Sequence, residues 1–276
     1  MGDFFNQDIS NAAMDPNSAA VISHLPNLTA GNFPGQRYFQ VNLSNNTESV
    51  PLNFLHSGGY FPGMISVPWK SSFWISPLND GHAVSLNTDT CQEYDFYQAS
   101  FDGSTLTAHG GREWNLNQPI SAQYAQQQHS WGADAADLPY ADLMLVGEDA
   151  FGPGPIQHAI GFYFPTGQGI EALHYYRPAD SYTLVGGCSA EPCMGYGDRF
   201  RLKVSYVCPG TFQGDRICAA LKSYGMFYYD QAGSFGLLFG ASTDGSFPWN
   251  GGQVDALLNN LHMSDFDMLT RGATGP

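Results

Sequence analysis

Apolar and polar residues alternate in short stretches along most of this chain, and Gly, Pro, Asn and Asp clusters separate the stretches. Side chains two apart in a strand share a face, so this pattern predicts many short strands joined by turns. Tyr38–Val41 and Val50–Phe54 are strand candidates within a region, 26–63, that is otherwise rich in Asn, Gly, Pro and Ser. His82–Leu86, Glu93–Phe101 and Leu106–Ala108 read as a meander, with turns at 87–89 and 102–103. Further strands are expected at Leu143–Val146, Ala159–Phe164, Leu173–Tyr176 and Phe200–Val207, and a closing pair at Phe227–Tyr229 and Phe235–Phe239.

The period changes in three places. Asn17 or Ser18 can cap a short helix running to about Leu25. Gly214–Gly225 carries Ile217, Leu221 and Tyr224 at helical spacing, and Val254–Leu261 reads as a second short helix. Residues 109–140 look like a long loop with a short helix near 121–128. No tandem repeat or linker is visible. The expectation is a mainly β protein: a single-domain antiparallel sandwich of jelly-roll type spanning 1–276, with two or three short helices and residues 1–30 packing on it.

Composition narrows the function. Charged residues are only 13% of the 276, and 25 acidic against 10 basic side chains give a net charge of -15. Such a surface repels nucleic-acid backbones and anionic membranes, so neither is expected as a partner. An acidic ligand would need a local basic site, for which Arg177, Arg199, Arg201 and Lys203 are the candidates. Cys188 with Cys193 and Cys208 with Cys218 bracket short loops, as disulfides do, leaving Cys91 as a small buried apolar residue. A metal site is not expected, because no CxxC pair exists and no His stands at ligand spacing. The chain opens without an apolar leader, and no run is apolar enough to span a membrane, so it reads as the mature part of a secreted protein.

On a chain so poor in charge, clustered ionisable residues mark where chemistry belongs. Glu93, Asp95 and Tyr97 alternate on one strand face, as do Asp80 and His82 on another. Glycosidic hydrolysis needs two carboxyl groups flanking the bond, one of them kept protonated by burial or a like charge. Asp80 and Asp95 are the candidate pair, with His82, Asp134 and His158 to tune or orient them. The ordinary alternative is a turn Asp at 80 with solvated carboxylates at 93 and 95. His158 opens an inward-facing row (Ile160, Phe162, Phe164), so it is either a satisfied core residue or a site residue at a strand end. Arg177 and Lys203 lie on faces that are either solvated or the floor of a substrate groove. Trp131 and Tyr97 offer surfaces for stacking on sugar rings, although most Trp side chains belong in the core. No P-loop, dinucleotide fingerprint, GxSxG or HExxH occurs, so no cofactor is expected.

These residues form a series: Asp80-Gly81-His82, Cys91 to Ala99, Trp131 with Asp134 and Leu138-Pro139, Gln157 to Phe162, Tyr176-Arg177-Pro178, Arg199 to Lys203, and Ala220 to Met226. In order and spacing the series resembles a family of secreted microbial β-sandwich proteins that accompany polysaccharide-degrading systems. The family pattern has an acidic residue where this chain has Asp95 and an apolar one at Glu93, which favours Asp95 over Glu93. It has a His where this chain has Pro178, which weakens any role for Arg177. The resemblance implies a glycan as partner.

The reading is therefore a secreted glycoside hydrolase with a carboxylate acid/base pair. Its alternatives are a polysaccharide lyase, with His158 or a Tyr as base and an Arg or Lys neutraliser, and a carbohydrate-binding protein without catalysis.

Overall fold

The structure, a computed structural model, describes residues 4–33, 37–55, 66–77, 80–124, 132–165, 167, 169–183, 186–188, 191–241 and 249–274. It is mainly β, with 32% strand and 20% helix. The strands of the first half are β1 (Arg37–Phe39), β2 (Val41–Ser44), β3 (Val50–Phe54), β4 (Ser66–Val67), β5 (Ala83–Asn87), β6 (Gln92–Tyr97), β7 (Ser100–Phe101), β8 (Leu106–Ala108) and β9 (Gly110–Asn115). The second half adds β10 (Ile160–Pro165), β11 (Ile170–Tyr175), β12 (Met194–Tyr196), β13 (Arg199–Leu202), β14 (Met226–Ala232), β15 (Gly236–Gly240) and β16 (Phe266–Met268). The α-helices are α1 (Ser18–His24), α2 (Tyr140–Leu143), α3 (Gly147–Phe151), α4 (Phe212–Ser223) and α5 (Gly251–Leu258).

Among the described residues the strands form four sheets, none closed: a six-stranded sheet in the order β1-β15-β10-β14-β13-β16, the pair β11-β12, and two four-stranded sheets, β2-β5-β6-β9 and β4-β3-β8-β7. The two four-stranded sheets face each other across a small apolar cluster. Val67, Trp69, Ala83, Tyr94, Phe96, Leu106 and Ala108 fill it. The opposite face of β2-β5-β6-β9 turns toward the main core, where Val84 and Trp114 join the aromatic rows of β10, β14 and β15. Strand β6 is thus buried on both sides, apolar on one and carboxylic on the other. That arrangement positions the site.

Several expectations hold to within a residue or two. Helix α1 starts at Ser18 after Asn17, though without a side-chain cap, and the N-terminal segment docks on β16 through a bond from Met268 N to Ser18 Oγ of 2.8 Å. Helix α4 buries Ile217 and Leu221, and β3 and β8 span the residues expected. Both disulfides are formed, Cys188–Cys193 and Cys208–Cys218.

Other expectations fail for identifiable reasons. The sheets are not purely antiparallel: β2 with β5, β3 with β8, β10 with β14 and β1 with β15 all run parallel. Strands β14 and β15 are not a hairpin pair, because β10 lies between them. At 143–146, apolar residues suit a buried helix end as well as a strand. Leu143 closes α2, and only Leu145 bridges to Phe239. The strand expected to run to Val207 stops at Leu202, and Val204 and Val207 are exposed. Strand β9 falls inside the expected loop. Gly110-Gly111-Arg112-Glu113 lacks strand propensity, and the β6 ladder supplies the order instead. Near 121–128, Ile120–Ala122 forms a single 3-10 turn and 125–128 lie outside the described residues. Cys91 is not buried but exposed, at a positive φ of 56°.

The basic face of β13 is largely covered. The N-terminal segment lies over it: Arg199 donates to Gln7 O, and Arg201 to the carbonyls of Ile9, Ser10 and Ala12.

Candidate functional site

Alternation along β6 sends Glu93, Asp95 and Tyr97 to one face of the sheet. The register then sets their neighbours. Asp95 pairs with Val84 on β5 and Arg112 on β9, and Glu93 pairs with Leu86 and Trp114. His82 stands just before β5 on this same face, its ring 5.6 Å from that of Tyr97. Glu93 and Asp95 are buried, at 0% and 1% exposure. Glu93 accepts a hydrogen bond from Ala141 N at 2.9 Å. The Asp95 carboxyl lies against that of Glu93 and near the Tyr140 backbone. Burial first, and then the Glu93 and Asp134 charges, push the Asp95 carboxyl well above the usual range, while burial raises Glu93.

The loop that follows brings in further acids. Asp134 is half-buried and accepts from Ala136 N at 3.0 Å and Leu138 N at 3.4 Å. Burial, the Asp230 charge and the Asp137 charge push the Asp134 carboxyl well above its ordinary value, and the two backbone donors only partly offset them. Asp230 of β14 accepts from Ala135 N at 3.3 Å and so ties this loop to the six-stranded sheet. Tyr97, also half-buried, has its phenol raised by burial and by the Asp80 and Asp230 charges. The phenol of Tyr140 donates to Ala133 O at 3.2 Å and meets His82 Nδ1 at 3.1 Å.

Arg112 closes the inner wall. It stacks over Trp114 at 3.8 Å and donates to Asp137 and, at 2.7 Å, to Asp180. Asp180 also takes Arg177, whose guanidinium lies 3.6 Å over the Tyr124 ring. Arg112, Asp137 and Asp180 are each about 1% exposed, so their charges are desolvated and compensate one another.

The structure thus brings Asp95, Asp134, Tyr97 and His82 to one region, with Glu93, Asp230, Arg112 and Tyr140 as partners. Asp80 is exposed in the turn before β5; its charge bears on Tyr97, and the charges bearing on Asp95 are those of Glu93 and Asp134. His158 belongs to a different set of contacts: Nδ1 meets Ala159 O at 2.8 Å and Nε2 meets Asp149 at 3.4 Å. Burial alone would lower its pKa, but Asp149 outweighs burial and raises it. Arg177 is engaged by Asp180, and Lys203 donates to Ser264 O at 2.7 Å. Trp131 lies outside the described residues. Trp69, Trp114 and Trp249 are core side chains.

Sequence reasoning missed Arg112, Asp137, Asp180 and Asp230. A signal for Asp230 existed: it is the lone acid in the aromatic run Phe227-Tyr228-Tyr229. Arg112 stood out only as one of ten basic residues, in a segment with no strand pattern. Cys188, Glu191 and Cys193 lie close together, but both thiols are consumed by their disulfide and hold no metal. No family model, curated protein or solved structure matches the chain.

Proposed function

We propose that this chain is a secreted glycoside hydrolase whose acid/base chemistry is carried by the carboxyl cluster around β6. The observation that carries the reading is Asp134. It keeps a partial exposure, and its proton is held well above the usual carboxyl range by burial and by Asp230 and Asp137. A glycosidase acid needs that combination of solvent reach and proton retention. Asp134 is the proton donor to the leaving oxygen. Asp230 is the complementary carboxylate, and its charge reaches both Asp134 and Tyr97. Asp95 sits behind them as a buried carboxyl, Tyr97 and His82 orient sugar hydroxyls, and Asp80 lies on the outer rim.

Further features support the assignment. Two disulfides fit an oxidising, extracellular setting, and no helix among the described residues is long and apolar enough to cross a membrane. The net charge of -15 suits a neutral glycan better than an acidic one. The facing pair of four-stranded sheets supports the sandwich part of the jelly-roll reading. A lyase would need an uncommitted cation beside the β6 carboxyl cluster, and there Arg177 is held by Asp180, while Lys203 is engaged by Ser264 O.

A panel of plant, fungal and algal polysaccharides, with product analysis, tests the reading. Hydrolysis gives new reducing ends without ultraviolet-absorbing products. Unsaturated products would replace it with the lyase, and saturable binding without cleavage would replace it with a binding protein.

A further inference from the structure

Away from the carboxyl cluster, a cavity of about 220 Å³ opens between the N-terminal segment, β13 and the C-terminal residues. Its walls are largely apolar, from Phe4, Ile9, Ala13, Phe227 and Leu269. Arg177, Arg199 and Arg271 also line it, together with Asp198.

Two of these cations are neutralised. Arg271 grips Asp198 through Nε at 2.9 Å and Nη2 at 2.8 Å, with Glu171 beside it, and Arg177 is held by Asp180. Arg199 differs. Its bonds run only to neutral carbonyls: Nε and Nη2 to Tyr224 O at 3.0 and 2.7 Å, and Nη2 to Gln7 O at 3.0 Å. Its charge otherwise meets the Phe227 ring, 4.8 Å away. No carboxylate offsets it among the described residues, and burial lowers its pKa to about 10. Its Nη1 makes no hydrogen bond there, and it is not a buried orphan either, so solvent reaches it. Desolvated charges in proteins are nearly always paired. On a chain with 25 acidic residues, a half-buried guanidinium without one marks a place for an external anion.

We infer that this cavity binds a small organic carboxylate, with the acid group on Arg199 Nη1 and the body against Phe4, Ile9 and Ala13. A single uncompensated cation matches a single negative charge, and the apolar walls favour a carbon skeleton over an inorganic anion. A uronic acid unit and a free organic acid share this chemistry. The inference stands independently of the glycosidase reading.

Titration calorimetry of the full chain with glucuronate, benzoate, glucose and sulfate tests it. At least one carboxylate should bind saturably at one site, at least about tenfold tighter than glucose or sulfate. Preference for glucuronate identifies a sugar acid, and preference for benzoate a free acid; either supports the site. Arg199→Met should weaken that carboxylate at least about tenfold. Arg199 also braces Tyr224 O, so Ala13→Phe serves as the second variant; Ala13 is exposed, and the added ring fills the cavity while Arg199 stays in place. Asp134→Asn should bind the carboxylate as the parent does. The inference is overturned if neither carboxylate binds, if sulfate binds as well as they do, or if Ala13→Phe leaves binding unchanged.

Discussion

Asp95 lies beneath the sheet surface at 1% exposure, against the Glu93 carboxyl, a position that charge makes costly and a proton makes tolerable. Its folded pKa is raised, so between the unfolded value of about 3.9 and the raised folded value the native state binds more protons than the unfolded one. Stability from this group is therefore fully present below about pH 3.9 and is lost as pH rises through the folded value. Asn fits the same space without a charge. Asp95→Asn should melt at a temperature that falls less steeply with pH, with its advantage over the parent growing from pH 4 to pH 8. Parallel curves across that range would show that Asp95 does not titrate in the window. His158 works in the opposite direction chemically but with the same sign. Its raised pKa adds stability below about pH 6.5 that fades as pH climbs through the folded value, and His158→Gln should remove that part of the profile.

Among the elements, β9 shows what the sequence could and could not reveal. Strand β6 was legible because Glu93, Asp95 and Tyr97 alternate with Tyr94 and Phe96. Helices α1, α4 and α5 were legible from period, and the disulfides from spacing. Strand β9 was not, since its order comes from pairing with β6 rather than from its own residues. With it went Arg112, whose acidic partners stand 25 and 68 residues away in sequence. No local pattern reports such distances. Arg112→Met would remove the guanidinium that Asp137 and Asp180 share in the interior. It should cost about 3–5 kcal/mol in urea unfolding, and a loss under 1 kcal/mol would mean that the network is hydrated. On α4, Cys208–Cys218 closes a loop with a sequence separation of 10. Replacing both cysteines with Ser should lower stability by about 2–3 kcal/mol in denaturant titration.

At the scale of the whole molecule, few charges are spent and most of the desolvated ones are concentrated. One group surrounds β6 and the 132–139 loop, and a second joins Arg271, Asp198, Glu171 and Tyr176. The strand content was legible at this scale and the mixed strand directions were not, because parallel pairing depends on how long connections return. Glycan cleavage by the β6 cluster is the claim on which the functional account depends, and turnover by Asp134→Asn measured beside its melting temperature tests it most directly. On a polysaccharide that the parent cleaves, the account predicts a loss of about 10²–10⁴-fold in kcat with the melting temperature at neutral pH maintained or raised. Parental turnover in that variant would contradict it.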